Sequence, residues 1–244
     1  MITSKQNALI KEIKSLSDKK FRDRLGVFVI EGVKPVKEAI QLGLTIRAIL
    51  VTEKGALSLN DDKICVEIAT DDIFCYVSEE KTPQGVLAVV YKPQNKLISP
   101  KGKCLLLDGV SDPSNVGAIM RTAAASGYNY VYMTEECADA YSNKAVRSSM
   151  TGVLRVNVMR AKLEALLEVI NLPLLVADMG GQDFCQIELK QDFCLVIGNE
   201  GRGVSQTLKE KATFTVSIPM QNGVESLNAA VSAGILMYSL KTKA

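Results

Sequence analysis

Short apolar runs alternate with stretches of helical spacing along the whole chain. In the first part, Val27–Ile30, Ile46–Val51, Ile64–Ile68 and Val86–Tyr91 are rich in β-branched residues and predict strands, while Val36–Leu42 and Asp71–Ser78 predict helices. The polar stretch Lys92-Pro93-Gln94-Asn95-Lys96, with Pro100-Lys101-Gly102-Lys103 just after it, interrupts the pattern and marks a boundary. The expectation is a domain over 1–95, a linker over 96–103 and a second domain over 104–244. In the latter, Cys104–Leu107, Tyr130–Met133, Leu174–Ala177, Leu195–Ile197 and Phe214–Ile218 are apolar without alternation. Continuous hydrophobicity means burial on both faces, hence a mainly parallel sheet covered by helices. The covering helices are expected over Asn115–Ser126, Asn143–Thr151, Lys162–Ile170, Ser205–Lys211 and Ser226–Leu240. The fold class is α/β throughout.

Composition narrows the chemistry. With 244 residues, 47% of them hydrophobic, the chain can build real cores and is not disordered. The net charge is only +2, so any nucleic-acid contact must come from local patches. One lies at the start, where Lys5, Lys11, Lys14, Lys19, Lys20, Arg22 and Arg24 face only Glu12, Asp18 and Asp23. By itself that patch is equally a solvated helix face. The chain has no histidine, which excludes Ser-His-Asp and Cys-His hydrolases and histidine-ligated metal sites in their usual forms. Its six cysteines contain no CxxC pair, the pattern of small core thiols in a reducing compartment. No signal peptide and no apolar run of bilayer length is visible, and a cytoplasmic setting is expected.

Three segments carry the candidate chemistry: Asn115-Val116-Gly117-Ala118-Ile119-Met120-Arg121, Gly198-Asn199-Glu200-Gly201-Arg202-Gly203, and the stretch from Ile218 through Met220 and Gly223 to Ser226-Leu227-Asn228. Each lies where an apolar strand gives way to a turn or helix, the edge at which α/β sheets bind ligands. Ser114 or Asn115, Ser205 and Ser226 are natural helix caps. Capping leaves Arg121 unexplained, since it stands among alanines and aliphatic residues near a helix start, where an arginine suits a phosphate. Glu200 is the only acidic group of its glycine-rich turn. Lys144 and Arg147 are i, i+3 neighbours on one helix face. A dinucleotide-type glycine fingerprint after Leu105–Leu107 is missing, so an ordinary Rossmann cofactor site is not expected.

Together, in this order and spacing, the three segments resemble the motifs of the SpoU/TrmH class of SPOUT methyltransferases, which transfer a methyl group from S-adenosylmethionine to a ribose 2′-hydroxyl of tRNA or rRNA. The resemblance is close from about Cys104 onward. Ser4 to Pro93 more loosely resembles the substrate-binding domain of many members, a smaller α/β domain like ribosomal protein L30e. The resemblance implies a deep trefoil knot in the C-terminal sheet domain and a homodimer through it. It places the methyl donor at Gly198, Ile218, Met220 and Leu227, and the reaction at Asn115, Arg121, Glu200, Ser226 and Asn228. The basic patch holding Lys5, Lys11, Lys14, Arg22 and Arg24 is the expected RNA contact of the first domain, and the resemblance places Lys144 and Arg147 near the RNA-facing side as well. No metal and no membrane are implied. The matching arginine is described in the family as a general base, but a guanidinium stays protonated, so gripping phosphate and stabilising the developing alkoxide is the physically sounder role. Ribosomal RNA is favoured over tRNA on the likeness of the first domain. The rivals are a tRNA enzyme, a methyltransferase acting on a base or small molecule, and a non-catalytic RNA-binding protein retaining the fold. The presence of both Asn115 and Arg121 argues against the last of these.

Overall fold

The computed structural model describes residues 1–59, 65–93 and 96–240. Ile64, the first residue of one expected strand, and Gln94 and Asn95 of the expected boundary lie outside the described residues. The chain forms two compact units, Met1–Pro93 with Tyr141–Arg147, and Gln94–Ala140 with Ser148–Ala244. The segment Tyr141–Arg147, expected in the second domain, therefore groups with the first.

The first unit runs α1 (Ala8–Ser15), α2 (Lys19–Leu25), β1 (Val27–Glu31), α3 (Val33–Gln41), β2 (Ile46–Val51), α4 (Glu53–Leu59), β3 (Glu67–Ile68), α5 (Asp71–Val77) and β4 (Val86–Tyr91). Its sheet has the order β1-β4-β2-β3, with β4 antiparallel to both neighbours and β2 parallel to β3. Asn7 caps α1 by accepting from the Leu9 amide, and Asp18 caps α2 through the Lys20 amide. Helix α1 turns Ile10 and Ile13 inward, where they join Val27, Val29, Phe74 and Leu87 in one core. α4 was not anticipated from the sequence, because Glu53–Leu59 contains Gly55 and too short an apolar stripe to register.

The second unit runs β5 (Cys104–Asp108), α6 (Pro113–Ser126), β6 (Tyr130–Met133), α7 (Asn143–Ser149, whose first residues belong to the first unit), β7 (Asn157–Arg160), α8 (Leu163–Val169), β8 (Leu174–Asp183), β9 (Cys194–Gly198), α9 (Gln206–Glu210), β10 (Phe214–Ser217) and α10 (Ala229–Ser239). Its sheet has the order β10-β8-β9-β5-β6-β7 and every pairing is parallel. The central strands β5 and β9 are buried on both faces from Cys104 to Leu107 and from Cys194 to Ile197, as their unbroken hydrophobicity requires. β8 continues well past the expected Ala177, because Gln182 and Asp183 pair with Val216 and Ser217 across a bulge. That extension is made by backbone pairing rather than by apolar side chains, so no hydrophobic pattern announces it. α10 is apolar on every side and packs against α6. Among the described residues no helix is long and apolar enough to cross a membrane, and no cluster of metal-ligating side chains occurs.

Candidate active site

Helix α6 begins two residues earlier than expected, at Pro113 in place of Asn115, and this frees the side chain that matters. Asp112 is the cap, accepting from the Ser114 amide at 2.8 Å, and Pro113 takes the first helical position, where its missing N–H costs nothing. Neither Ser114 nor Asn115 caps. Asn115 is 9% exposed inside the first turn, and its amide is available to reach across the unit.

It reaches two places. Its Nδ2 donates to Glu200 at 2.8 Å, and its Oδ1 accepts from Nδ2 of Asn228 at 2.9 Å. Asn228 in turn caps α10, its Oδ1 accepting from the amides of Ala230 at 2.9 Å and Val231 at 3.3 Å. The expected cap Ser226 lies two residues earlier, exposed, in the segment leading into the helix. Asn228 displaces it because an asparagine at this position can cap with its oxygen while its nitrogen bonds Asn115. The result is a directional relay from the α10 amides through Asn228 and Asn115 to Glu200, joining one residue from each of the three segments.

Glu200 also accepts from the Ser111 amide and hydroxyl, at 3.2 and 3.0 Å, and from the Asp112 amide at 3.4 Å. Partial burial pushes its carboxyl up, but the hydrogen bonds from Asn115, from backbone amides and from Ser111 prevail and hold it below the usual carboxylate range. An ionised, fully engaged carboxylate is a poor proton acceptor and a good clamp. Glu200 is thus a positioning residue that ties the loop after β9 to the loop after β5. Asn199 makes a second tie, donating to the Gly109 carbonyl at 2.7 Å.

Beside this relay lies a cleft of ≈ 520 Å³. Gly198, Ile218, Met220 and Leu227 all line it, together with Glu200 and Ser226. Ile197, Val216 and Leu236 contribute an apolar surface, and the Asp178–Lys209 ion pair, at 2.6 Å, stands at one side. Gly198 is there of necessity: a Cβ would come within 2.3 Å of the Gly203 carbonyl carbon and the Val204 nitrogen, where the strand end meets the returning turn. Asp178 and Lys209 were not anticipated, and no sequence signal distinguishes them from an ordinary surface pair.

Arg121 is not part of this assembly. It is exposed on α6, and its backbone packs against the 3-10 turn Gly152–Leu154, where a Cβ on Gly152 would approach the Arg121 Cα to 2.5 Å. Among the basic residues expected to face RNA, Arg22 needs correction. It is 3% exposed, and its Nη1 donates to the Leu16 and Ser17 carbonyls at 2.7 and 2.8 Å, so it locks the α1–α2 turn instead of facing solvent. Lys5, Lys11, Lys14 and Arg24 are exposed; Lys5 and Lys14 lie 4.5 and 5.0 Å from the Tyr76 ring centre, and Arg24 lies over Phe21. Lys144 is exposed on α7, and Arg147 pairs with Glu80 at 3.4 Å.

Both units have counterparts among known proteins. A profile of the MRM3-like substrate binding domain matches residues 7–88. Over 98% of each chain, the protein is 34% identical to the 23S rRNA (guanosine(2553)-2′-O)-methyltransferase RlmP of Bacillus subtilis. It is 29% identical to the 23S rRNA (uridine(2479)-2′-O)-methyltransferase of Streptomyces viridochromogenes, over 91% of this chain and 85% of that one. Among solved structures, an AdoMet-bound rRNA methyltransferase from Sinorhizobium meliloti superposes with a TM-score of 0.87 at 27% identity, covering 98% of this chain and 95% of the other. The SpoU methyltransferase AviRb from Streptomyces viridochromogenes, in complex with AdoMet, superposes at 0.84 with 27% identity, covering 96% and 97%. The profile of the SpoU rRNA Methylase family spans residues 102–238, and the chain belongs to that family.

Proposed function

We propose that the protein methylates a ribose 2′-hydroxyl of ribosomal RNA with S-adenosylmethionine as donor, the second unit performing the transfer and the first binding the RNA. The observation that carries the reading is the convergence of three distant segments on one place: the Asn228–Asn115–Glu200 relay running beside a cleft lined by Gly198, Ile218, Met220 and Leu227. Both rRNA-modifying relatives act on 23S rRNA by their names, which favours rRNA over tRNA.

The cleft fits the donor. Its volume lies in the range of small-molecule sites, its apolar wall suits an adenine, and the segment from Ile218 to Leu227, which turns at Asn222–Gly223, offers backbone groups for hydrogen bonding. The bound sulfonium supplies an electrophilic methyl carbon. The chain's own residues would orient the acceptor so that the ribose oxygen takes the methyl carbon, the sulfur leaves with the bonding pair as a neutral thioether, and the hydroxyl proton passes to solvent water. Asn115, held rigid at both ends of its amide, presents a fixed edge to the ribose, which is the kind of preorganisation that lowers barriers. Arg121, exposed and permanently charged, grips the RNA phosphate. Lys5, Lys11, Lys14 and Arg24, with Lys144 and Arg147, extend that phosphate contact, while Arg22 serves the fold.

The reading includes the class's trefoil knot, a homodimer and a cytoplasmic location. What supports the dimer is the outward face of α10, where Val231 and Tyr238 remain 50% and 56% exposed on a helix that is apolar all round. The test is transfer of labelled methyl to rRNA from cells lacking the enzyme, with the modified nucleotide mapped. Ribose modification of RNA and none of the matching DNA is expected, since DNA lacks the nucleophile. Equal labelling of both polymers would sink the ribose assignment.

A further inference from the structure

The second unit has another cleft, which shares only the loop after β9 with the donor cleft. It encloses ≈ 480 Å³ among residues that include Gly109, Thr134, Glu136, Leu163, Arg202 and Ser205. Topology explains its position. From β5 the chain proceeds to β6 and β7 on one side, and from β9 to β10 on the other, although β5 and β9 are neighbours. The winding reverses between them, and a crevice opens outside their carboxyl ends.

Its walls have a definite chemistry. Gly109 adopts φ +69, and a Cβ there would stand 3.3 Å from the Nη2 of Arg202 and 3.8 Å from the Cβ of Glu136, so a guanidinium and a carboxylate-bearing residue flank one bare stretch of backbone. Glu136 is held below the usual carboxylate range by a backbone amide and the Thr134 hydroxyl, then by Arg160 and Arg202, against a small effect of burial. It is therefore an acceptor only. Leu163 adds an apolar surface. Ser205 lines the cleft as well. A phosphate does not suit the site, since Asp108, Glu135, Glu136 and Glu164 line it against only Lys162 and Arg202.

A carboxylate beside a guanidinium discriminates among the four RNA bases. Guanine alone carries two adjacent donors, N1–H and the N2 amino group, which match the two carboxylate oxygens. Adenine and cytosine place a ring acceptor next to their amino group, and uracil flanks its single N–H with carbonyls, all of which a carboxylate repels. The neighbouring O6 and N7 of guanine are the acceptor pair that arginine reads in bidentate fashion. We propose that this cleft takes an unpaired guanine of the RNA substrate, Glu136 receiving its Watson–Crick donors and Arg202 reading O6 and N7. The assignment rests on the RNA-methylation reading above. Asn199, Arg202 and Gly203 line both this cleft and the donor cleft, so the guanine belongs to the methylated nucleotide or to its neighbour.

Two measurements on the full chain test this separately from methyl transfer and through it. In the first, guanosine 5′-monophosphate shifts the amide resonances of Gly109, Thr134 and Gly203, and uridine 5′-monophosphate at the same concentration leaves them in place. Equal shifts from both, or none from either, overturn the proposal while leaving the methylation reading intact. In the second, RNA hairpins around the mapped site carry inosine, which lacks only the 2-amino group, in place of each guanosine at or beside the target. Inosine lowers kcat/KM by about tenfold or more at one position, and Glu136→Gln narrows that ratio while its melting temperature and donor affinity stay at wild-type values. A mapped site without guanosine at or beside it, or a guanosine-to-inosine ratio unchanged in Glu136→Gln, overturns the proposal. A wild-type protein that labels no RNA defeats the methylation reading, and the nucleotide titration then still decides whether the cleft selects guanine.

Discussion

The two units use their polar side chains in opposite ways. In the first, charge is abundant and mostly on the surface, yet among the described residues its most buried cation, Arg22, holds the turn between two helices. In the second, the site is assembled from neutral amides and backbone, with one carboxylate as anchor, and Asn115 alone connects two segments that lie 85 and 113 positions away along the chain. Charge density alone therefore does not mark the candidate site. The two residues differ in where their hydrogen bonds go: Arg22 closes a local loop, Asn115 bridges the unit. Removing an exposed cation subtracts one contact of several, whereas removing Asn115 unties an assembly.

The sharpest test of this contrast is Asn115→Ala. It removes both links of the relay and should lower transfer by about 100-fold or more, the cost of misplacing reacting groups by an ångström, while calorimetry finds donor affinity little changed. Parallel losses of donor affinity and turnover would show that the relay shapes the donor cleft as well. Next in size is Gly198→Ala. Its Cβ would overlap backbone at 2.3 Å, which costs about 1–3 kcal/mol of stability and should weaken donor binding. Normal donor binding in this variant would place the donor away from the β9 end.

In the first unit, Arg22→Ala leaves two carbonyls without donors and should cost about 1–3 kcal/mol in urea unfolding, with no change in donor affinity. Lys11→Ala, at an exposed position, should stay within about 0.5 kcal/mol of wild type yet reduce the slope of log K for RNA against log salt by about 1. A reversal of these two behaviours would undo the distinction between the buried and exposed cations. The smallest expected effect is on pH. Because the folded state holds the Glu200 carboxyl below its ordinary value, its contribution to stability is present above the unfolded pKa of about 4.3 and is lost as pH falls through the lower folded value. The stability difference between wild type and Glu200→Gln should accordingly shrink in acid and stay constant from pH 6 to 8, as followed by thermal melts in matched buffers.

How much of this was legible beforehand depended on which force made the feature. Burial writes itself into hydrophobic runs, so the parallel order of the second sheet could be read from Cys104–Leu107 and Leu195–Ile197. Backbone pairing leaves no such trace, and the outer half of β8 and the short β7 went unread. Caps were read as residue types but misplaced, Asp112 for Asn115 and Asn228 for Ser226, because asparagine, aspartate and serine compete at one helix start and only the tertiary partner decides among them. That same ambiguity concealed the relay, since a side chain taken for a cap is not looked for across the domain. Arg22 was grouped with its basic neighbours because sequence gives charge and not exposure.

The link between Asn228 and Asn115 has a temporal consequence. A chain emerging in order from its N-terminal end completes the β5 loop and then the β9 loop before α10 exists, but the amide edge of Asn115 is fixed at only one end until Asn228 arrives to cap that helix. Closing so distant a contact is among the slow steps of folding. On the role proposed for Asn115, a chain still in synthesis lacks the second anchor of that amide, and transfer is expected only once α10 has formed.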